Sequence, residues 1–319
     1  MSLRYSLNSI AFIFFFFLSY ILIQPYTEGD QKHYIRLYEA LSEASFLDIL
    51  NVGFANVGSL EPLSMYILWI GSQLGVDKNV YISIWNAFLL LGFFIFAQKY
   101  RMRKIFVFLL ITNFYVLVAM SGAERLKFAL LALTYSFVFL ESRRKVAYTL
   151  LLISPLFHFQ SIIFLVGYVA YSFSKQLFDF FISFKIKYSF LLGLVFLLFF
   201  AGYVFYVFND ILLLKFHAYY QGRSFSVFYQ ALILSCAVLI VTNRRLQFIS
   251  MLSVLCVFIY FLGGERVNMV AFILSLFFLI VEKRADHPVF LVLMFYFSVK
   301  SVFFINRVFL YGDGFHVCC

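Results

Sequence analysis

The sequence predicts an all-α polytopic integral membrane protein with about 10–12 transmembrane or re-entrant helices. Of its 319 residues, 64% are hydrophobic, 22% are aromatic and only 13% are charged. A water-soluble fold of this size could not bury so much apolar surface. The formal net charge of +10 does not indicate a nucleic-acid partner, because Lys and Arg stand in short clusters between apolar runs.

The basic clusters orient the chain, because cytoplasmic loops are enriched in Lys and Arg. The clusters assigned to the cytoplasm are Arg4, KYRMRK from Lys99, RRK at 143–145, the lysines at 175, 185 and 187, RR at 244–245 and KR at 283–284. The predicted spans are 7–26, 80–98, 105–120, 123–140, 188–207, 225–242, 246–262, 267–281 and 288–305. Together they predict one transmembrane domain over 1–319.

The first span, 7–26, is predicted to stay in the mature protein, because the QPYTEGD that follows has no small-residue cleavage site. The loop 27–61 is then periplasmic. Within it, Asp30, Tyr34 and Tyr38 recur at intervals of four and share one face of a short helix. An acid beside aromatic rings suits a sugar, although an interfacial helix with tyrosines at the headgroups has the same pattern.

A second acidic residue, Glu61, lies at the end of this loop and is followed by Pro62 at the start of an apolar stretch. Glu61 is a candidate for a catalytic base or for a group that holds a sugar. The apolar stretch at 62–75 is too short for an ordinary span.

The segment 146–173 is too long for one crossing and contains Pro155 and His158. A single crossing would move every later basic cluster to the outside, so we expect a broken hairpin packed within protein. Histidine at membrane depth is a candidate functional residue, and a histidine bonded to a neighbouring carbonyl is the alternative.

A helical hairpin is repeated, at 103–144 and at 244–285. SGAERLKF in the first copy matches LGGERVNM in the second, and each Arg lies 22 residues after the basic pair that opens its copy. A further Glu follows the first by 17 residues in both copies, which is about 26 Å of helix and close to one hydrocarbon thickness. Both copies therefore run in the same direction, with the Glu-Arg pairs on the periplasmic side. Apolar identities are few, so similar constraints without duplication are an alternative explanation of the match.

The two pairs, Glu124-Arg125 and Glu265-Arg266, begin the second helix of each copy. Glutamate there complements the positive end of the helix dipole and needs no function. Arginine opposes both the dipole and the positive-inside bias, and its planar fork suits bidentate phosphate binding. An anion bound at the free N–H groups of these helices would account for both arginines. Snorkelling to the interface, or pairing with a neighbouring acid, is the alternative.

A second predicted periplasmic loop, 209–224, contains His217 and Arg223 among tyrosines. These residues are candidates for substrate binding or for a headgroup anchor. The four cysteines form no Cys-x-x-Cys pair and have no histidine at metal spacing, so we expect neither a zinc site nor a disulfide framework.

In their order, these motifs resemble the EpsG-like branch of the Wzy-type O-antigen and capsule polysaccharide polymerases. The resemblance covers most of the chain and rests on D-x-x-x-Y-x-x-x-Y from Asp30, EP at Glu61, R-x-x-x-A at Arg125, and a His followed by small polar residues at His158. The family's usual His-x-Ser is stretched here to HFQS.

The resemblance implies a glycosyltransferase at the periplasmic face of a bacterial inner membrane. It would join oligosaccharide repeat units carried on undecaprenyl diphosphate, without a metal or cofactor. A flippase and a chain-length regulator are the implied protein partners, with no nucleic acid.

The chemistry needs a cationic clamp for the departing diphosphate and a base near the attacking hydroxyl. Arg125 and Arg266 match the clamp, while His158, Asp30 and Glu61 are the candidate bases. The residues expected to bind substrate are Tyr34, Tyr38, Glu124, Arg223, His217 and Glu265.

Two other functions remain open at this point. A ligase that moves the finished glycan to lipid A core would use the same clamp. A transporter or flippase for the lipid-linked unit is the non-enzymatic alternative, although the repeat is parallel rather than inverted and few charges lie at mid-membrane.

Overall fold

A computed structural model describes residues 2–59, 61–174, 227–262 and 264–315, with isolated positions between 175 and 226. Side chains at 2–5, 227 and 260–266 lie outside this description. The regular elements of the described part are α-helices, without a strand. The chain divides into two compact units, one formed by Met1–Ile162 with Leu291–Cys319 and the other by Ile163–Phe290. This division concerns packing, and a single transmembrane domain over 1–319 stays a prediction.

Ten of the described helices begin in the first unit. They are α1 (Ser2–Ile23), α2 (Asp30–Ser42), α3 (Ile49–Val57), α4 (Pro62–Gln73), α5 (Lys78–Lys99), α6 (Lys104–Ile111), α7 (Phe114–Ser121), α8 (Glu124–Phe139), α9 (Arg144–Phe157) and α10 (Ser161–Ser172). The others are α11 (Val227–Val241), α12 (Arg245–Leu262), α13 (Gly264–Val281) and α14 (Pro288–Tyr311).

Three described helices are long and apolar enough to cross a membrane. These stretches are Ser6–Ile23 within α1, Lys78–Lys99 and Pro288–Tyr311. The pair α6 and α7 forms a fourth candidate span, bent by 44° at its break. The described part of the chain is thus all-helical with three to four candidate spans, which fits an all-α membrane protein.

Four of the other predicted spans have counterparts among the described helices. The stretches at 123–140, 225–242, 246–262 and 267–281 correspond to α8, α11, α12 and α13. The predicted span at 188–207 lies mostly outside the described residues.

Polar residues at helix starts explain where several elements begin. The Asp77 side chain accepts hydrogen bonds from the backbone N–H groups of Asn79 and Val80, so it caps α5. Asn113 caps α7 in the same way by accepting from Tyr115 N–H at 3.0 Å. This cap starts a new helix inside the apolar run 105–120, so the candidate span there consists of two helices with a 44° bend between them.

The predicted break within 146–173 is confirmed. The helix α9 ends at Phe157, and α10 begins at Ser161. Pro155 lies in the last turn of α9, where it lacks the N–H of a regular helix, and His158 then adopts extended backbone with φ −160°. The break places the His158 side chain between two helices.

In the first unit, α5 packs against both α1 and α8, and α8 packs against α9. The short α4 packs closely near α5, because Gly71 leaves room for the ring of Tyr81 and the hydroxyl of Tyr38. A Cβ at Gly71 would lie 2.5 Å from the Tyr81 ring. One buried apolar cluster joins these elements, and it includes Leu37, Leu41, Met65, Leu68, Ile82 and Phe128.

The segment after α14 forms hydrogen bonds with the residues that lead into α2. The backbone N–H groups of Thr27 and Glu28 both donate to the Gly312 carbonyl, at 3.1 and 2.9 Å. The Tyr26 hydroxyl donates to Asp313 at 3.2 Å. The loop before α2 is therefore held at its start by backbone and side-chain hydrogen bonds.

In the second unit, α13 packs against α11 and α12. Every residue from 267 to 280 is buried, which is the pattern of a central core helix. The rings of Tyr171 and Phe278 stack with centroids 3.6 Å apart. This unit is thus organised around one apolar helix.

Candidate functional site in the first unit

Glu61 is the centre of a polar cluster. It directly precedes α4, whose first residue is Pro62, and the Glu61 side chain is only 2% exposed. One carboxylate oxygen, Oε2, accepts from Arg125 Nη1 and from the Ser59 hydroxyl. The other, Oε1, faces His158 Nδ1 at 2.8 Å and the Phe159 backbone N–H at 3.4 Å. A buried carboxylate with this many donors is stable only in its ionised form.

Arg125 reaches this cluster from the first turn of α8. Its Nη1 forms the ion pair with Glu61, and its Nε donates to the Tyr34 hydroxyl at 2.9 Å. The side chain is 15% exposed, and its Nη2 makes no hydrogen bond to a described residue. The sequence alternative in which Arg125 pairs with a neighbouring acid is the arrangement found here. One edge of the guanidinium remains available for an anion.

His158 enters from the break between α9 and α10. Ionised Glu61 can only accept, so His158 Nδ1 carries the proton of their 2.8 Å hydrogen bond. Nε2 lies 3.1 Å from Oε1 of Gln160. It either donates there as part of an imidazolium or accepts from the Gln160 amide turned through 180°. Glu61 thus fixes the imidazole tautomer and its orientation.

Electrostatics favour an ionised Glu61. Burial alone raises the pKa of its carboxyl, but hydrogen bonding and attraction by His158, together with attraction by Arg125, outweigh burial. The pKa of Glu61 therefore lies well below its ordinary value. Burial raises the pKa of the Tyr34 phenol, so Tyr34 is a neutral acceptor for Arg125.

Glu124, the neighbour of Arg125 in sequence, belongs to a second buried cluster. Its side chain is fully buried, with Lys127 Nζ at 2.9 Å and Lys78 Nζ at 3.6 Å. Gln31 Nε2 donates to Glu124 Oε1 at 2.7 Å. The Lys127 ammonium also donates to the Met120 carbonyl at 2.6 Å. Glu124 therefore does more than complement the helix dipole, as the sequence suggests: its carboxylate also binds two buried ammonium groups and a buried amide.

The helix α2 connects the two clusters. Gln31 and Tyr34 lie one turn apart on its buried face, so Gln31 contacts the Glu124 cluster while Tyr34 contacts Arg125. Gln31 Oε1 also accepts from Lys78 at 2.5 Å. The start of α8 is therefore held on both sides by polar contacts from α2.

The structure brings together only part of the predicted site. Glu61, Arg125, His158 and Tyr34 form one cluster. Tyr38 is buried on the same helix face, but its hydroxyl donates to the Val76 carbonyl at 3.0 Å and does not contact the cluster. Asp30 is exposed at the start of α2 and makes no hydrogen bond to Glu61, Arg125 or His158.

The remaining predicted residues lie outside the described part of the chain. This applies to His217 and Arg223 of the second loop, and to the side chains of Glu265 and Arg266 at the start of α13. Their roles stay predictions.

Sequence reasoning did not select Gln31, Lys78, Lys127 or Ser59. Two signals were available for the lysines. Lys127 is a charge within an apolar helix, three residues after Glu124, and Lys78 stands at the start of a long apolar span. Gln31 and Ser59 have ordinary surroundings in sequence, and only their neighbours in space distinguish them.

The arrangement supports two kinds of chemistry. A carboxylate that orients an imidazole is suited to proton transfer, because Glu61 stabilises the imidazolium that forms on His158. A guanidinium beside them is suited to neutralise an anionic group. Among the described residues, no group of three or more His, Cys, Asp and Glu side chains could hold a metal ion.

Comparison of the chain with protein-family models, with curated proteins and with solved structures gave no match.

Proposed function

We propose that the chain is a membrane glycosyltransferase of a bacterial inner membrane that joins oligosaccharide repeat units carried on undecaprenyl diphosphate. The observation that carries this proposal is the meeting of three predicted catalytic residues. Glu61 lies 64 residues from Arg125 and 97 residues from His158, yet its carboxylate contacts both side chains. The active site faces the periplasm in this proposal, since the positive-inside pattern puts the loop before Glu61 there.

In the proposed reaction, an acceptor hydroxyl attacks the anomeric carbon of the donor chain. The new carbon–oxygen bond forms as the bond between that carbon and the diphosphate oxygen breaks. His158 accepts the hydroxyl proton at Nε2. Its Nδ1–H continues to donate to the Glu61 carboxylate, which stabilises the resulting imidazolium. The electron pair of the broken bond leaves with the lipid diphosphate.

Arg125 acts on the leaving group in this proposal. Its Nη1 and Nε are held by Glu61 and Tyr34, which orient the planar guanidinium. The remaining Nη2 edge donates to the diphosphate, where negative charge accumulates as the bond breaks. Arg266 stays a sequence-based candidate for a further cation that binds the diphosphate, and its side chain lies outside the described residues.

The proposal is tested by removing the two nitrogens of His158 without removing its aromatic volume. His158→Phe and Glu61→Gln are each expressed in a strain of the source bacterium that lacks the chromosomal copy, and surface polysaccharide is separated on a gel. We expect polymer to fall about 10²-fold or more toward a single-unit band, because general base catalysis contributes at least that factor. His33→Phe is the matched control, because His33 is exposed on α2.

Protein in the membrane fraction is measured for every variant. A wild-type ladder from His158→Phe at normal protein level would remove His158 from the chemistry. Loss of every band, including the single unit, in the deletion strain would indicate transport of the lipid-linked unit instead of polymerisation.

A further inference from the structure

The buried polar groups around the start of α8 carry an uncompensated positive charge. Lys78, Lys127 and Arg125 are cations, whereas Glu61 and Glu124 are the only anions among the five described charged side chains of the two clusters. All five are at most 15% exposed, and the three on the Glu124 side are at most 9% exposed. With His158 neutral, one positive charge is left over, and a protonated His158 would add a second.

Acidic residues nearby do not supply the missing charge. Asp30 and Asp77 precede Gln31 and Lys78 in sequence, but both are exposed to solvent. Their attraction for a buried ammonium is therefore screened by water and salt. A buried, unpaired cation costs free energy in the absence of an anion. An anionic ligand would remove that cost.

Lys78 is the least paired of the three cations. Lys127 has a carboxylate at 2.9 Å, and Arg125 is ion-paired with Glu61. By contrast, Lys78 Nζ lies 3.6 Å from Glu124, and its close contact at 2.5 Å is the neutral amide oxygen of Gln31. Its side chain is 9% exposed, compared with 1% for Lys127 and 0% for Glu124.

The position of Lys78 in its helix is unfavourable for an ammonium. It is the first residue of α5, where the positive end of the helix dipole repels an ammonium. Asp77 already satisfies the free N–H groups of Asn79 and Val80. The folded chain therefore holds this cation where the helix dipole opposes it and the nearest carboxylate lies 3.6 Å away.

Lys78 and Arg125 are linked through the same face of α2. Gln31 holds the ammonium of Lys78, and Tyr34, one turn later, holds the guanidinium of Arg125. Glu124 adds a second link, since it contacts Lys78 and directly precedes Arg125. Lys78 on α5 and Arg125 on α8 are thus connected through three residues, Gln31, Tyr34 and Glu124.

We infer that Lys78 is a second phosphate-binding residue of the site and that, with Arg125, it holds the diphosphate of the lipid-linked substrate. This inference rests on the proposed function and identifies a residue of the first unit that completes the clamp there. The ammonium contributes a point charge, whereas the guanidinium contributes directed hydrogen bonds. A phospholipid headgroup offers the same phosphate chemistry, and the experiment separates the two sources.

The test measures binding of inorganic diphosphate to the purified full-length protein in neutral detergent, by isothermal titration. We expect Lys78→Gln to weaken binding about tenfold or more, since a hydrogen bond to a charged group is worth at least that factor. Lys78→Arg keeps the charge and should stay within about threefold of wild type. Lys32→Gln is the matched control, because Lys32 is 49% exposed and pairs with Glu28 on the surface of α2.

The same titration is repeated with phosphatidylglycerol added to the micelles. We expect diphosphate binding to persist, and its loss would assign the cation to headgroups and overturn the inference. Equal affinities for wild type and a folded Lys78→Gln would overturn it as well, as would the absence of any binding by wild type. If Lys78→Gln does not fold, a Lys78→Arg affinity reduced more than tenfold would overturn it. None of these results bears on the polysaccharide ladder of the His158 variants, which tests the proposed function separately.

Discussion

The two repeated hairpins, 103–144 and 244–285, are alike at their ends and different inside. Near the end of each hairpin, a glutamate accepts a hydrogen bond from a tyrosine that lies outside the hairpin. Glu141 accepts from the Tyr100 hydroxyl at 2.8 Å, and Glu282 accepts from the Tyr171 hydroxyl at 2.9 Å. The matching spacing in sequence therefore corresponds to a matching anchor in the structure.

The interiors differ in both shape and polarity. The first helix of copy one is broken into α6 and α7 by the cap at Asn113, whereas α12 in copy two is continuous. In the second helix, Lys127 of copy one ion-pairs with Glu124, and the residue 141 positions later is the neutral Asn268. From 267 to 280 the second copy is buried and otherwise nearly apolar.

The difference shows that a repeated spacing does not require the same side chains inside the helices. The spacing of 17 residues between the glutamates is the one predicted for hairpin ends that match the hydrocarbon thickness. Chemistry depends on which neighbours reach the helix start. Only for the first copy does the structure describe such partners, which come from α2, from α5 and from Glu61 just before α4. Four experiments test how far this contrast extends.

The largest effect is expected from removing the buried charge of the first copy. Lys127→Met leaves Glu124 buried without its closest cation, which should lower the free energy of unfolding by about 3 kcal/mol. Asn268→Leu, at the matching position of the second copy, removes a neutral amide and should cost about 1 kcal/mol. Reversible unfolding in mixed micelles, followed by circular dichroism, measures both values. Equal losses would mean that the charges of the first copy add no stability beyond neutral hydrogen bonds.

The second test asks whether the two arginines are functionally equivalent. Arg125→Lys and Arg266→Lys keep the charge but lose the planar fork, and each should reduce polymer about 10²-fold if both clamp the diphosphate. The polysaccharide ladder reports the effect, with Lys32→Gln as a surface control and membrane protein level checked. A strong effect from Arg125→Lys beside a normal ladder from Arg266→Lys would restrict the clamp to the first copy.

A smaller effect is expected at the shared anchors. Tyr100→Phe and Tyr171→Phe each remove one hydrogen bond to a glutamate, at a cost of about 1 kcal/mol. Glu141 is 59% exposed, so the loss at Tyr100 should be the lesser of the two. The same unfolding experiment in micelles measures both free energies. Unchanged stability in both variants would show that these two hydrogen bonds do not stabilise the fold.

The last test should leave stability unchanged and report orientation alone. Single cysteines replace Ser45, Ser142 or Asn243, all of which are exposed, after the native cysteines have been removed. An impermeant thiol reagent should label Ser45→Cys in intact spheroplasts, and the two hairpin-end positions only after permeabilisation. Labelling of one hairpin end but not the other in intact cells would contradict a parallel repeat.

Several features of the candidate site follow from sequence because their causes are local. A charge or a histidine within an apolar run is costly wherever it lies, so Arg125 and His158 are recognisable without a structure. Pro155 lacks the N–H of a regular helix, and the break before His158 follows from that. Glu61 can be recognised from the sequence as well, because it precedes a proline at the start of an apolar stretch.

The face of α2 shows the limit of local reasoning. The four-residue spacing selects Asp30, Tyr34 and Tyr38, whereas the packed helix buries Gln31, Tyr34 and Tyr38 and exposes Asp30. Spacings of three and four both keep residues on one side of a helix, because a turn has 3.6 residues. The rotation of the helix about its axis is decided by the surface against which it packs.

Sequence alone determined the all-helical class, most helix positions and which polar residues are unusual for their surroundings, because these follow from hydropathy and backbone chemistry within about 20 residues. Only the tertiary structure decided the partners: Glu61 with Arg125 and His158, and Glu124 with Gln31, Lys78 and Lys127. Most of these contacts join residues far apart in the chain. A buried charge is stabilised by whichever opposite charge or dipole lies within a few ångströms, and that distance is fixed by helix packing and not by sequence separation.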